Sequence, residues 1–423
     1  MDSVQSAIRA MAGLGDAAEI ARRAGSARLR VNSHVHLPPN FSAFDSPAHA
    51  LDLCDRQDVR VLGVSNYYDY TVYGPFAEQA RRRGVFPLFG LEIICLEEEL
   101  MRKGVRINDP GNPGKMYLCG KGIVGLSPMN EEARAILATI RANDSRRMGA
   151  MVERMGRVLR ERGLARPPTQ EGVIAMVVRR HAVPRDTVYL QERHVCMAFQ
   201  EAIFAQVGPE GRAAALERML GSPARNPLDP VAVQNDLRTA LMKSGRPAYV
   251  DETFIGFAEA YRLVLALGGV PCYPVLADGA SPVCGFEADV DGLVRSLRER
   301  GVFMAELIPI RNSPAALRRY VMALRGAGLP VLAGTEHNTL DLLAMEPACV
   351  GGVEIDDDLK AVFWEGACVA AAHQFLAAQG RTGYVDAEGR PSGDFGDDGS
   401  RIEAMARLGA AVIDAYRKQS ERA

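Results

Sequence analysis

Short apolar runs alternate with amphipathic helical stretches along most of the chain, and this alternation is its dominant pattern. Runs rich in Val, Ile, Leu and Phe predict strands. The predicted strands are Leu29–Asn32, Val59–Ser65, Val85–Ile94, Val270–Leu276, Val302–Pro309 and Pro330–Ala333. Ser46-Pro47, Asp289 and Ser313-Pro314 are start signals for helices between them. Strands that alternate with helices predict an α/β fold, with a mostly parallel sheet and helices outside it.

Four stretches modify this pattern. Val4 to Ala24 predicts one amphipathic helix ahead of the first strand. Lys115–Leu126 predicts two short extended pieces around Gly120. From about Pro128 to Arg246 strand signals vanish and helical ones dominate, with a clear start at Asp229-Pro230. The tail after Asp358 predicts an Ala-rich helix, a Gly/Asp loop and a last helix.

Ligand-type side chains follow the predicted strands at their carboxyl ends, where function gathers in such folds. The clearest example is His34-Val35-His36, because alternate residues of a strand point to the same side and two imidazoles can then share a metal. The other polar or reactive residues at such ends are Asn66, Glu92, Cys272, Arg311, Glu336 and His337. Together they predict a metal site at one end of the sheet.

Composition restricts the classes of function. The 423 residues suffice for one large α/β barrel with additions, or for two to three average domains. A net charge of −2 gives no electrostatic footprint for nucleic acid or an anionic membrane. No apolar run is long enough to span a membrane, and no secretion signal begins the chain. Eight scattered cysteines without a Cys-x-x-Cys motif fit buried thiols in a cytoplasmic protein better than disulfides.

The order of motifs from about Arg28 to Asn338 resembles the polymerase-and-histidinol-phosphatase (PHP) family of metal-dependent phosphoesterases. His34-Val35-His36 is similar to the opening His-x-His of the family, and Phe89-Gly90-Leu91-Glu92-Ile93 to its Gly-x-Glu. The other stretches that stand at family motifs are Gly63-Val64-Ser65-Asn66-Tyr67, Tyr117-Leu118-Cys119-Gly120, Glu192-Arg193-His194-Val195-Cys196-Met197-Ala198, Gly268-Gly269-Val270-Pro271-Cys272-Tyr273-Pro274 and Gly334-Thr335-Glu336-His337-Asn338.

Several family ligands are replaced in this chain. Asn66 and Tyr67 stand where the family has Asp and His, and Tyr117 replaces a histidine. Cys272 or Tyr273 replaces another histidine, and Glu336 takes the place of the final Asp. A full family site binds two or three metals, whereas the remaining donors here suffice for one or two. The resemblance therefore implies an altered metal set.

The resemblance implies the following site. The expected metal ligands are His34, His36, Glu92, His194, Glu336 and His337, holding one or two divalent ions of zinc, manganese or iron. Arg193, Arg311 and Lys121 are candidate clamps for an anionic substrate, which Asn66 and Tyr67 would also contact. Tyr117 is a candidate proton donor beside Arg193 and Arg311. The competing interpretation is structural: His194 packs within its helix, Cys272 belongs to the core, and the tyrosines pack with hydrogen-bonded hydroxyls.

The expected fold is a distorted TIM-like (β/α)7 barrel of PHP type. Its predicted segments are an N-terminal helix over 1–27, a first barrel part over 28–127, a helical insertion over 128–250, a second barrel part over 251–355 and a C-terminal helical extension over 356–423. The expected function is metal-dependent hydrolysis of a small phosphorylated metabolite. Two alternatives stay open: a metal-dependent lyase or isomerase acting on a sugar or sugar acid, and a degraded barrel that binds a ligand or partner protein. The tail either packs on the barrel or mediates self-association.

Overall fold

A computed structural model describes residues 3–23, 25 and 27–420. The chain divides into two compact units. The first unit comprises the chain up to Leu37, Ser46–Leu137 and the chain from Ile255 onward, and it contains the sheet. The second unit comprises Pro38–Asp45 and Ala138–Phe254 and is helical.

The strands of the first unit form one sheet in which β1, β2, β3, β4, β6, β7 and β8 follow each other and β5 pairs with the far end of β3. The strands are Arg30–Val35 (β1), Val59–Val64 (β2), Phe86–Leu96 (β3), Lys115–Lys121 (β4), Ile255–Gly256 (β5), Val270–Val275 (β6), Met304–Leu307 (β7) and Val331–Ala333 (β8). Most neighbours are parallel, as predicted. The sheet is nearly closed, and the predicted TIM-like α/β barrel is confirmed.

Backbone hydrogen bonds just beyond β8 close the sheet onto β1. The amide groups of Thr335 and Glu336 both donate to the carbonyl oxygen of His34, at 3.1 and 2.8 Å, and His36 donates back to Glu336 at 2.8 Å. The turn after β8 is thereby fixed against the histidine pair of β1. Closure therefore brings residues that are about 300 positions apart in sequence to one end of the barrel.

Strand β4 differs from the sequence prediction. Lys115–Leu126 was expected to form two extended pieces, but Lys115–Lys121 is one strand that pairs antiparallel with β3 along its whole length. It also pairs antiparallel with β6. Gly120 does not interrupt β4, because it pairs with Leu91 within a continuous register between β3 and β4. Pairing across the sheet therefore outweighs the low strand preference of glycine.

The helices lie ahead of β1, between the strands, in the second unit and in the C-terminal tail. Their bounds are Ser3–Ala12 (α1), Ala17–Ala21 (α2), Pro47–Gln57 (α3), Tyr73–Arg82 (α4), Glu98–Arg102 (α5), Glu131–Glu161 (α6), Gln170–His181 (α7), Glu192–Gln206 (α8), Pro209–Leu220 (α9), Pro230–Leu237 (α10), Phe257–Ala266 (α11), Val290–Glu299 (α12), Pro314–Gly326 (α13), Asp357–Ala378 (α14) and Asp398–Ser420 (α15).

The predicted start signals are confirmed as caps. The side chains of Ser46, Asp229, Asp289 and Ser313 each accept a hydrogen bond from a backbone amide in the first turn of the helix that follows. The prediction of a single N-terminal helix is wrong, since α1 and α2 are separate helices. Gly15 has a φ of 136° in the break, and Asp16 caps α2. Ala24, the expected end of that helix, lies outside the described residues.

The C-terminal helix α14 packs into the barrel unit, on β8, β3 and β1. Its Gln374 side chain accepts a hydrogen bond from the Phe89 amide at 2.6 Å and donates to the Pro87 carbonyl at 2.9 Å. Both backbone groups belong to the part of β3 that precedes its pairing with β4. The tail therefore completes the hydrogen bonding of a barrel strand.

Two predictions about general properties can be compared with the structure. All eight cysteines are buried and carry free thiols, as the sequence indicates for small core residues. Among helices in the described part of the chain, none is both long and apolar enough to cross a membrane.

Candidate metal centre

Three buried donor groups converge where β1 ends and β3 passes it. His34 and His36 leave the same side of β1, and Glu92 lies on β3. The Nε2 atoms of the two histidines are 3.4 Å apart. The same Glu92 oxygen, Oε2, lies 3.6 Å from Nε2 of His34 and 3.1 Å from Nε2 of His36. The histidine pair and the carboxylate that the sequence singled out are thus brought together.

The spacing of these three atoms fits a shared metal ion. Nitrogen and oxygen ligands bind zinc at about 2.0–2.2 Å, so two of them on neighbouring corners of a tetrahedron lie about 3.3–3.6 Å apart. The three observed separations, 3.1, 3.4 and 3.6 Å, lie within a few tenths of an ångström of that edge. His34, His36 and Glu92 therefore have both the chemistry and the spacing of a three-residue ligand set.

Glu306 on β7 orients the His34 ring. Its Oε1 lies 3.0 Å from Nδ1 of His34. A carboxylate only accepts hydrogen bonds, so Nδ1 carries the proton and Nε2 faces the donor group. Burial alone would lower the pKa of His34, but the Glu306 carboxylate raises it to about 9. Binding of a metal at Nε2 would then displace a proton from that atom.

The charges of the two glutamates are stabilised by their neighbours. Burial opposes ionisation of Glu92, but the His34 and His36 imidazoles beside its Oε2 hold the pKa of this carboxyl well below the usual range. Burial also opposes ionisation of Glu306, and the positive charge of Lys121 lowers the pKa of that carboxyl to about 2. Both side chains are therefore carboxylates at neutral pH.

Lys121, predicted to hold an anionic substrate, is buried inside the barrel. Its Nζ lies 2.7 Å from Oε2 of Glu306 and 3.2 Å from both the Ser33 carbonyl oxygen and Ser65 Oγ. Cys119, two residues earlier on β4, forms with His34 and Glu306 a second group of potential metal donors. Burial raises the pKa of the Cys119 thiol well above its usual range, so this sulfur keeps its proton.

The turn after β8 holds Glu336 and His337 in an uncommon backbone conformation. Their φ angles are 59° and 51°, in the left-handed region that non-glycine residues seldom adopt. Glu336 forms an ion pair with Arg311 and accepts a hydrogen bond from Asn338 at 2.6 Å. The ring nitrogens of His337 lie 2.7 Å from Thr335 Oγ1 and 3.2 Å from the Leu343 carbonyl oxygen. Two consecutive strained residues at this turn fit a functional segment.

Gly334 permits this turn to approach β1. A Cβ atom at Gly334 would lie 2.4 Å from Cβ of His34, closer than real Cβ contacts allow. Any larger residue would separate β8 from the histidine pair. Glycine is therefore required at position 334, because the ends of β1 and β8 approach each other too closely for a side chain there.

Tyr67 and Tyr117 lie beside the donor group. The Tyr67 ring stacks on His36 with centroids 5.0 Å apart and ring planes 5° from parallel. Burial and the nearby Glu92 carboxylate raise the pKa of Tyr67 well above its usual range, so its phenol is a hydrogen-bond donor. Tyr117 is half-buried, and its phenol lies within electrostatic range of Arg311.

Asn66 and Cys272 have structural partners. The Asn66 amide donates to the Leu37 carbonyl at 2.9 Å and accepts from the Leu37 backbone amide at 2.8 Å. This bidentate contact joins the chain after β2 to the chain after β1. Cys272 is buried on β6, opposite Cys119 of β4.

Arg193 and His194 belong to the second unit. His194 is buried at the start of α8, where its Nδ1 accepts a hydrogen bond from the Gln191 amide at 3.1 Å and its ring packs edge-on against Phe41. Burial lowers its pKa to about 3. Arg193 lies over the Phe41 ring and contacts Asn235 at 3.5 Å. These contacts are those of a helix cap and its neighbour, and the binding functions predicted for both residues stay predictions.

Sequence reasoning missed Glu306 and Cys119 as members of the site. The available signal was the composition of β7, Met304–Leu307, in which a single carboxylate interrupts a wholly buried apolar run. A charged group in such a strand needs a partner, which is Lys121 together with His34. That signal predicts a pairing but does not name the residues that provide it.

Comparison with known proteins gives the fold. No family model matches the chain, and no curated protein matches its sequence. A protein of Bifidobacterium adolescentis, provisionally described as a metal-dependent phosphoesterase, superposes with a TM-score of 0.51 at 16% identity, covering 79% of this chain and 96% of the other. An amidohydrolase from Chromobacterium violaceum superposes with a TM-score of 0.50 at 14% sequence identity, with the same coverage of both chains. Two hydrolase structures thus share this fold. The PHP resemblance stays a prediction.

Proposed function

We propose that this chain is a metal-dependent hydrolase whose divalent ion is held by His34, His36 and Glu92. The observation that carries the proposal is the convergence of these three buried donor atoms within 3.1–3.6 Å of one another. A bound divalent ion would supply a water of lowered pKa and would polarise a substrate oxygen. The histidine pair lies at the carboxyl end of β1, against the turn after β8, and active sites of barrel enzymes lie at the carboxyl ends of the strands.

We propose further that the substrate is a small phosphate ester. Arg311 is exposed, and its ion pair with Glu336 involves only one amino group, NH2, of a fork that carries five N–H donors. The Glu336 carboxylate raises the pKa of Arg311, so the guanidinium keeps its charge. A planar cation with open donors matches two oxygens of a phosphate group.

Side chains around the proposed metal ligands would position the ligands and the substrate and donate a proton. Glu306 fixes the His34 ring, the Tyr67 ring stacks on His36, and Glu336 holds the Arg311 fork in place. Tyr117, whose side chain lies within electrostatic range of Arg311, is the candidate proton donor for a leaving group.

Metal analysis and a substrate screen test the proposal. Protein purified without chelator is analysed for metals and titrated with Zn²⁺, Mn²⁺ and Fe²⁺, and the loaded forms are screened with phosphate monoesters and diesters. We expect tight binding and phosphate release for the wild type. His36→Ala should lose the metal because one of three donors is removed, whereas His49→Ala, a substitution on helix α3, should retain it.

The outcomes distinguish the alternatives. A chain that binds no metal and gains no stability from metal contradicts the proposal and favours a binding module. Tight metal binding that depends on His36, without cleavage of any phosphate ester, contradicts the phosphate assignment and favours the lyase or isomerase reaction. Equal loss of metal from His36→Ala and His49→Ala would contradict the ligand assignment.

A further inference from the structure

Among the residues that the structure describes, the barrel contains two candidate metal donor groups that share one histidine. His34, His36 and Glu92 form the first group, and His34, Cys119 and Glu306 form the second. The two nitrogens of His34 face different groups, since Nε2 lies near His36 and Glu92 while Nδ1 lies near Glu306. The two groups are therefore on opposite edges of a single imidazole ring.

Lys121 brings a positive charge to the second group. Its side chain runs from the end of β4 to Glu306 on β7, Ser33 on β1 and Ser65 after β2. Three oxygens thus lie within 3.2 Å of Nζ: the Ser33 and Ser65 oxygens accept hydrogen bonds from it, and the Glu306 oxygen forms an ion pair with it. Glu306 divides its oxygens, with Oε1 facing His34 and Oε2 facing Lys121.

The surrounding backbone is shaped for this ammonium group. Gly90 pairs with Lys121 across the sheet, and a Cβ there would lie 3.0 Å from Ser65 Oγ and 2.7 Å from the Gly120 carbonyl oxygen. Absence of a side chain at Gly90 leaves Ser65 in place to contact Nζ. A buried charge is costly unless it is partnered, and here Glu306 supplies the opposite charge while the Ser33 carbonyl and Ser65 Oγ accept hydrogen bonds from Nζ.

We propose that the Lys121 ammonium group is a built-in cation that takes the place of a second metal ion, so that the centre binds one divalent ion per chain. This inference rests on the proposed metal-binding function. Glu306 is neutralised by Lys121 and holds the Nδ1 proton of His34, so it has no charge left for a second ion. A divalent ion at the second group would also be repelled by Nζ, which lies 2.7 Å from Glu306.

Lys121 therefore determines the number of metal ions and is a positioning residue for His34. Lys121 pairs with one oxygen of Glu306, the other oxygen orients the His34 ring, and the ring presents Nε2 to the first group. Removing the ammonium while keeping Glu306 should leave a buried carboxylate, a thiol and an imidazole edge around a cavity. Such a donor set can accept a second divalent ion.

Metal stoichiometry tests the inference without reference to activity. Mn²⁺ and Zn²⁺ are titrated calorimetrically into the wild type, Lys121→Ala and Lys115→Ala, and the metal content is measured after gel filtration. Lys115 is a matched control because it is a buried lysine of the same strand, 3.3 Å from Asp109. We expect one equivalent for the wild type and Lys115→Ala, and two for Lys121→Ala.

Each other result has a definite meaning. Two equivalents in the wild type, or one in a folded Lys121→Ala protein, overturns the inference and leaves the proposed function intact. No metal in the wild type overturns both. If Lys121→Ala unfolds without metal, refolding with two equivalents of Mn²⁺ supports the inference. If it stays unfolded with metal, and Lys121→Ala/Glu306→Gln is unfolded too, Lys121 serves packing alone and the inference fails.

Discussion

At the scale of single residues, the hydrogen-bond and ion-pair partners of a side chain indicate whether it can bind a substrate or instead supports the fold. Asn66 uses both ends of its amide on Leu37, so it joins two strand ends. Lys121 is enclosed by Glu306, Ser33 and Ser65. Arg311, by contrast, is exposed and commits one amino group to Glu336. Of the three lysine and arginine residues predicted to hold an anion, Arg311 has the open donors that this function needs.

Substitution of Arg311 should therefore impair substrate binding and leave the metal in place. Arg311→Ala removes charge-assisted hydrogen bonds to the substrate, and since one such bond is worth about 1.5–3 kcal/mol, kcat/KM for the phosphate ester should fall at least about 10-fold. Arg311→Lys should recover part of the loss, because it keeps the charge without the fork. Steady-state kinetics and metal analysis measure both effects.

The matched control for this substitution is Arg318→Ala. Arg318 is an exposed arginine that pairs with Asp356 and Asp358 and with none of the proposed metal ligands. The kcat/KM of the Arg318→Ala protein should equal that of the wild type. An Arg311→Ala protein with unchanged kcat/KM, or one that has lost its metal, would refute the function assigned to Arg311.

At the scale of elements, the barrel depends on a helix from the far end of the chain. Helix α14 supplies Gln374 to β3 where β4 has not yet begun to pair. The backbone groups of Pro87 and Phe89 would otherwise lie buried without partners, which proteins avoid. Because β3 also carries Glu92, the tail supports the strand that delivers a proposed metal ligand.

Gln374→Ala should consequently destabilise the fold. The substitution leaves a buried amide of Phe89 and a buried carbonyl of Pro87 without their partners, and each such group costs about 1–3 kcal/mol. We expect the free energy of unfolding, measured by urea denaturation, to fall by at least about 2 kcal/mol. Gln419→Ala, on the exposed end of α15, is the control and should be close to neutral. Equal effects of the two substitutions would contradict the bridging function of Gln374.

At the scale of the whole molecule, acidic and basic side chains nearly cancel, with a net charge of −2. Global repulsion is therefore weak near neutral pH, and individual buried ion pairs dominate the response of stability to pH. In the second unit, Glu192 lies 2.8 Å from both Arg147 and Arg238. Burial opposes its ionisation, but the positive charges of Arg238 and Arg147 lower the pKa of Glu192 to about 2.

Acid should therefore destabilise the wild type partly through Glu192. A carboxyl whose pKa is lower in the folded than in the unfolded chain stabilises fully above about pH 4.5 and loses that stabilisation as the pH falls towards 2. The shift corresponds to on the order of 3 kcal/mol. Glu192→Gln should lower stability at pH 7 and flatten its decline between pH 5 and 2, measured by circular dichroism during urea unfolding.

The control for this pH effect is Glu201→Gln, which alters an exposed ion pair with Arg180. Exposed pairs contribute little, so its pH profile should follow that of the wild type. A Glu192→Gln protein whose stability declines with acid as steeply as the wild type would show that other groups control acid unfolding.

Local signals in the sequence were enough to predict most helices and strands and the shared direction of His34 and His36 in the site. Ser46-Pro47, Asp229-Pro230 and Ser313-Pro314 predicted helix starts, because a cap needs only a side chain and the amides that follow it. His34 and His36 predicted a shared direction, because strand periodicity fixes it. Lys115–Lys121 was misread, since its antiparallel pairing with β3 is a property of the sheet and not of its own residues.

The sequence by itself determined the alternation of strands and helices, the helix caps and the histidine pair at the end of β1, because each depends on neighbours a few positions away. Only the tertiary structure decided that Glu306 takes His34 and Lys121 as partners and that Glu336 holds Arg311. It also decided that α14 completes β3. These contacts join residues far apart in the chain, and their distances are set by closure of the sheet, which no local pattern encodes.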